Sequence, residues 1–164
     1  MAENRGKKFE EIVKQSFLKI SDVSIDRLHD QTTGYLGSKN ICDFIVYKEP
    51  YEYYIECKTV HGNTLSFTNI TDNQWQGLLE KSQIKGVFAG IICWWVDKDK
   101  TLFIPIQLLQ SMKEKGAKSI RYDCIAHNGI WNIEISGKKK RVFFDYDMNS
   151  FFESIEKYGG IDEV

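Results

Sequence analysis

The sequence predicts an α/β protein in which a mixed central β-sheet is flanked by helices. Three observations carry this. Apolar residues at helical spacing open the chain. Strand-like and helical stretches then alternate, in the order helix, strands, helix, strands and a mixed tail. One stretch, VFAGIICWWV at 87–96, is apolar almost throughout and is expected at the centre of the sheet. At 164 residues, 42% hydrophobic and 27% charged, the chain has the length and composition of one ordinary globular domain.

The elements follow in order. Residues 4–20 form a helix, with Phe9, Ile12, Val13, Phe17 and Ile20 on one apolar face and Asn4 placed to cap its start. Residues 24–28 suggest a short strand, and 30–40, rich in Thr, Gly, Ser and Asn, a loop. Strands are expected at 41–47 and 52–60. The break at Lys48, Glu49 and Pro50 is short, so they should pair as an antiparallel hairpin. Residues 61–69 suggest a loop. Thr71 or Asp72 can cap a helix running to about residue 84, with Trp75, Leu78 and Leu79 inward and Gly86 closing it. The apolar strand 87–96, a turn at 97–100 and a strand at 101–104 make a second hairpin. Residues 105–115 suggest a helix closed by Gly116. Strand pieces are expected near 120–125, 130–135 and 141–144, then a last helix at 149–158 before a frayed end from Gly159 and Gly160. The whole is expected as a single domain over 1–164, with a core at about 4–120 and a C-terminal extension at about 121–164.

Several function classes lose support. No apolar run approaches the ~20 residues that span a bilayer. Residues 1–8 are polar, with no apolar stretch behind them like that of a signal peptide, so a cytoplasmic location is expected. Cys42, Cys57, Cys93 and Cys124 form no CxxC pair, so buried free thiols are expected rather than a zinc site. Gly34 and Gly37 lack the further glycines and Lys of a phosphate-cradling loop. His29, His61 and His127 are scattered, without a Ser-His-Asp or Cys-His order. His61, close behind the strand at 52–60, has two readings, a solvated loop residue or a substrate contact. Trp94 and Trp95 point to opposite faces of their strand, one into the core and the other against a helix or a dimer partner, with base stacking a weaker reading. With 22 basic and 23 acidic residues the net charge is −1, so a nucleic-acid binder of this balance must gather its cations on one face. Two clusters exist, Arg5, Lys7, Lys8 and Lys138, Lys139, Lys140, Arg141. The second equally suits a solvated turn, because Gly137 marks a hairpin turn there.

The informative stretch runs from Asp43 to Lys58. In a hairpin, Asp43 near the start of one strand meets Glu56 and Lys58 near the end of the next. Glu56 and Lys58 are two apart, so they share a face, while Cys57 turns to the other. Three charged side chains inside apolar strands are costly unless paired or bound to a metal. A salt bridge of Lys58 on an exposed strand face would explain them structurally. Two carboxylates also make a hard oxygen site suited to Mg²⁺ or Mn²⁺, to which the Cys57 carbonyl can add. Such a site suits phosphodiester hydrolysis, with Lys58 beside the attacking water or the developing charge.

Three segments in order carry a resemblance. They are Asn4-Arg5-Gly6-Lys7-Lys8-Phe9-Glu10-Glu11, the Asp43…Glu56-Cys57-Lys58 hairpin, and TLSFTNITDNQ at 64–74. Together they span roughly residues 4–95. The pattern resembles the PD-(D/E)xK nuclease superfamily with its restriction-endonuclease-like core. Within it the pattern looks like RecU-type Holliday junction resolvases, with a broader similarity to archaeal Hjc resolvases. The resemblance implies a metal-dependent endonuclease, with Mg²⁺ or Mn²⁺, that resolves four-way DNA junctions by paired symmetric nicks as a homodimer. It assigns Asp43 and Glu56 as metal ligands, Lys58 as the catalytic lysine and Gln74 as the glutamine near the site. It makes Glu10 an acidic support of the metal, directly or through water, and Arg5 and Lys7, with Lys8 beside them, DNA-phosphate contacts. Glu11 is a neighbouring candidate, but it lies ~100° from Glu10 around the helix.

The sequence also departs from the pattern. Cys42 stands where the superfamily name has Pro. Only about 30 residues separate Glu10 from Asp43, so the stalk of RecU proteins is short or missing. The tail after residue 120 has no matched counterpart. Two alternatives stand beside the resolvase. One is another nuclease of the superfamily, of repair, fork-cutting or restriction type. The other is a junction-binding protein without catalysis.

Overall fold

The computed structural model of the chain describes residues 2–28, 40–127 and 132–159. The first helix, α1 (Ala2–Leu18), buries Phe9, Val13 and Phe17 along one face, as their spacing requires. It begins at Ala2, so Asn4 lies within the helix rather than at its cap. A turn through Asp22, at φ 63°, leads to β1 (Ser24–Arg27). The expected loop 30–40 lies, except for Asn40, outside the described residues, as does His29.

Strand β2 (Phe44–Lys48) pairs antiparallel with β3 (Tyr51–Val60), as the short break between them predicts. The expected loop at 61–69 instead holds a strand, β4 (Thr64–Ser66), and a 3-10 turn at Phe67–Asn69. Its partner is β7 (Ser119–Arg121), so no local pattern could announce it. Helix α2 (Asp72–Ser82) carries a capping box at Thr71 and Gln74 and turns Trp75 and Leu78 inward. Then come β5 (Val87–Trp95), β6 (Lys100–Pro105) and α3 (Ile106–Glu114), close to expectation.

The tail differs more. Beyond β7 the chain turns into helix α4 (Tyr122–His127), where a strand to 125 is expected. The β4 pairing ends at Arg121, and the Asn63 carbonyl accepts the Tyr122 N–H at 2.9 Å, so the ladder stops there. Strand β8 (Ile133–Glu134) is short, and residues 130 and 131 of the expected piece lie outside the described part. Strands β9 (Gly137–Lys139) and β10 (Phe144–Tyr146) flank a turn at 140–143, where a strand over 141–144 is expected. Gly137 is therefore a strand residue and not a turn. A Cβ there would lie 2.7 Å from the Asp145 carbonyl oxygen, which is why the close strand approach takes glycine. The last helix, α5, is Met148–Gly159, and the chain from Gly160 is outside the described residues.

Among the described residues the central sheet has six strands in the order β1-β2-β3-β5-β6-β8. Of these strands β3 and β5 run parallel, with α2 in the crossover, and the other neighbours antiparallel, so the sheet is mixed and flanked by helices as expected. Helices α1 and α5 cover one face, with Phe9, Phe17, Phe151 and Phe152 against Tyr53, Ile55, Cys57 and Trp94. Helices α2 and α3 cover the other, with Trp75, Leu78 and Leu109 against Ile91, Cys93 and Trp95. Both tryptophans are thus buried, and Trp95 meets Tyr122 of α4 rather than a partner subunit. Strands β3 and β5 lie at the centre, so side chains near the end of β3 are held on both sides.

Candidate active site

Asp43 immediately precedes β2 and is clamped by backbone bonds on both sides. Its N–H donates to the Ile55 carbonyl at 3.0 Å, and its carbonyl accepts from the Leu28 N–H at 2.8 Å. The register Phe44 to Ile55 places it opposite Glu56. Its Oδ2 accepts the Cys57 N–H at 2.8 Å. In a strand the N–H and C=O of one residue point to the same side, so the Cys57 carbonyl is directed toward that edge as well.

Glu56 is only 3% exposed. One oxygen, Oε2, accepts from the Gln74 Nε2 at 2.9 Å and pairs with the Lys58 Nζ at 3.0 Å. The other, Oε1, is buried and has no hydrogen-bond partner. A buried carboxylate oxygen without a donor is costly, and so is a second carboxylate beside it. Burial first, then the negative charge of Glu56 and a side-chain hydrogen bond to it that Asp43 makes when protonated, push the Asp43 carboxyl up to about 7, against the opposing pull of the Cys57 N–H and Lys58. The two acids and one lysine make a pocket deficient in positive charge. The donor set is hard oxygen, and one oxygen is unclaimed, so the residues fit a small divalent cation. Among the described residues no three His, Cys, Asp or Glu side chains form a metal-holding group, so Glu10 does not join Asp43 and Glu56 in one cluster.

Gln74 reaches this pocket from the first turn of α2. Its Oε1 accepts the Thr71 N–H at 3.0 Å, and Thr71 Oγ1 accepts the Gln74 N–H at 3.1 Å. One amide therefore closes the capping box and fixes Glu56 across the layer boundary. Glu10 pairs with Arg27 Nη2 at 2.6 Å, and the Arg27 guanidinium lies 5.6 Å from the centre of the Phe44 ring. Glu11 is exposed and accepts from Gln15, so the two neighbouring acids do differ. Arg5 Nη1 lies 3.3 Å from His61 Nε2, and Lys7 and Lys8 are exposed. Cys57 turns its thiol into the α1 face, where burial pushes its pKa well up and keeps it neutral.

Two residues here escape sequence reasoning. Arg27 ends a weak strand and gives no local sign of reaching Glu10. Asp97 accepts the Gly62 N–H at 2.5 Å and so ties the turn after β5 to the end of β3. All four cysteines are free, with Cys124 less buried than the others. No helix among the described residues is long and apolar enough to cross a membrane.

Comparison with known proteins gives one family match. The family model for RecU, recombination protein U, matches residues 7–146, well beyond the motifs at 4–95. Among solved structures, Hjc of Archaeoglobus fulgidus, a Holliday junction resolvase from an archaeal hyperthermophile, is 18% identical. It covers 63% of this chain and 78% of its own, with a TM-score of 0.46. No curated protein matches.

Proposed function

The chain belongs to the RecU family, as its match over residues 7–146 establishes, and from that premise we propose that it resolves Holliday junctions by metal-dependent hydrolysis at the Asp43, Glu56 and Lys58 pocket. Membership makes it a recombination endonuclease that acts on branched DNA. One observation carries the metal dependence, the buried Glu56 Oε1 without a donor beside a second carboxylate whose charge its surroundings disfavour.

Asp43, Glu56 and the Cys57 carbonyl would hold Mg²⁺ or Mn²⁺, with Glu10 reaching it through water. When bound, that ion supplies Lewis acidity toward the scissile phosphate and the attacking water. The chain's own residues do the rest. Gln74 and Lys58 hold Glu56 in one orientation, and the Cys57 N–H holds Asp43. The Lys58 Nζ, 3.0 Å from Glu56, orients the attacking water or neutralises charge growing on the phosphate. Arg5, Lys7 and Lys8, at the open end of α1, contact backbone phosphates. Two such sites in a homodimer would make the paired nicks symmetric, in the cytoplasm, where the free thiols are at home.

The test is cleavage of a labelled four-way junction against matched linear duplex, with Mg²⁺ and with EDTA. Paired, metal-dependent nicks confined to the junction are expected. Equal cutting of both substrates would make it a general nuclease, and tight junction binding without cutting would remove the catalytic reading.

A further inference from the structure

The β9–β10 hairpin carries Lys138, Lys139, Lys140 and Arg141 in succession, all exposed. Yet the protein as a whole has a net charge of −1. Adjacent cations repel one another, and a folded chain tolerates them best where acids answer them. Here the nearby acids are engaged. Asp99 pairs with Lys139 at 2.7 Å, Glu134 with Lys100 at 3.0 Å, Asp145 with Lys19, and Asp97 accepts the Gly62 N–H. Lys140 and Lys138 also act on the charge of Asp145, which Lys19 already holds, but among the described residues no ion pair or side-chain hydrogen bond holds Lys140 or Arg141 in place.

The hairpin is firmly mounted. The Tyr146 hydroxyl and Thr101 Oγ1 share a buried hydrogen bond of 2.7 Å, and the Tyr146 N–H donates to Ser16 Oγ at 3.3 Å. The Tyr146 ring meets Phe9 edge-on at 6.2 Å, and the Phe143 ring lies 5.3 Å from Trp94. Trp94 is the register partner of Thr59, and its ring lies on the α1 face of the sheet, opposite the face that Glu56 and Lys58 share. Lys139 reaches the turn after β5, the turn whose Asp97 holds Gly62, and the adjoining His61 meets Arg5. These cations thus stand on the α1 side, near the end of the sheet where β3 finishes and where α1 presents Arg5.

We propose that the β9–β10 hairpin is a second phosphate-binding element, which grips a DNA arm beyond the catalytic pocket through Lys140 and Arg141. The inference rests on the reading of the protein as a junction resolvase. A rigid anchor suits this task, because a preformed cationic tip loses little freedom when the polyanion docks. Backbone phosphates carry no sequence, so the element adds affinity and register without base preference.

The test measures junction binding against salt in an Asp43→Asn background, which prevents cutting. Lys140→Ala/Arg141→Ala leaves the packed Phe143 and Tyr146 in place, and thermal melting checks that the fold is kept. Affinity is expected to fall roughly eight-fold per lost contact at 0.1 M salt, and the salt slope by about 0.9 per contact. Lys100→Ala, which removes a cation already paired, is expected to change neither. An unchanged slope in the folded double variant, and in Lys140→Glu/Arg141→Glu, overturns the hairpin's role while leaving the resolvase reading intact. An equal loss in Lys100→Ala overturns it too, since the effect would then be one of general charge. No junction binding by the Asp43→Asn parent overturns both.

Discussion

Replacing Glu56 with Gln should destroy activity and yet relieve the metal-free protein above neutral pH. Asp43 ordinarily titrates near 3.8 and is pushed up to about 7, first by burial and then by Glu56. That shift disfavours the ionised Asp43 by roughly 4 kcal/mol, at about 1.4 kcal/mol per unit. Burial is the larger cause, so Glu56→Gln removes only part of this cost. The sign follows from a folded pKa above the unfolded one. The stability is fully present below about pH 4 and is lost as pH rises through about 7. In EDTA, wild type and Glu56→Gln should therefore show melting curves of the same pH dependence below about pH 5. Above it they should diverge in favour of the variant, each kcal/mol relieved raising the melting temperature by about 2–4 °C for a chain of this length. The lost Lys58–Glu56 pair offsets the two profiles by a constant and does not change their relative slope. With Mg²⁺ at about a hundred times its dissociation constant the wild type alone should gain about 2.7 kcal/mol. Parallel profiles from pH 5 to 8, or an undiminished Mg²⁺ gain in the variant, would refute the shared-pocket argument.

Other perturbations address single contacts. Lys58→Ala should lower junction cleavage by at least about a hundred-fold without weakening junction binding, and unchanged single-turnover rates would remove its catalytic role. Gln74→Ala removes both the cap contact and the Glu56 hydrogen bond. It should cost about 1–2 kcal/mol in urea unfolding and lower cleavage, whereas Thr71→Ala should reproduce the stability loss with less effect on cutting. Gly90→Ala would place a Cβ 2.4 Å from the Ile104 carbonyl oxygen between two central strands. It should destabilise by about 3 kcal/mol or more, and a melting temperature within a degree of wild type would contradict the packing. Thr101→Val leaves the buried Tyr146 hydroxyl unpaired and should cost about 1–3 kcal/mol, checked by urea unfolding.

Much of the site was legible because its geometry is local. The two-residue spacing of Glu56 and Lys58 fixes a shared face, and a short break before Tyr51 fixes the hairpin that brings Asp43 opposite. Thr71 and Gln74 could be placed at a helix start for the same reason. The 3.6-residue spacing of Phe9, Val13 and Phe17 likewise gave the first helix its buried face.

Tertiary structure decided what local spacing does not constrain. The partner of β4 lies far along the chain, so its strand looked like a loop, and the short apolar run at 120–125 suits helix or strand until the ladder stops at Arg121. Both tryptophans had to be inward once helices closed over each face of the sheet. Arg27 meets Glu10, Gln74 meets Glu56, and Lys139 meets Asp99 only because separate elements pack together. The sequence by itself determined the pair of carboxylates, their lysine and the hairpin that joins them, since a strand's alternation is set by its covalent geometry. Which side chains hold that pocket in place, and which cations of the last hairpin no ion pair holds, depended on contacts between distant segments, and those exist only after the chain has folded.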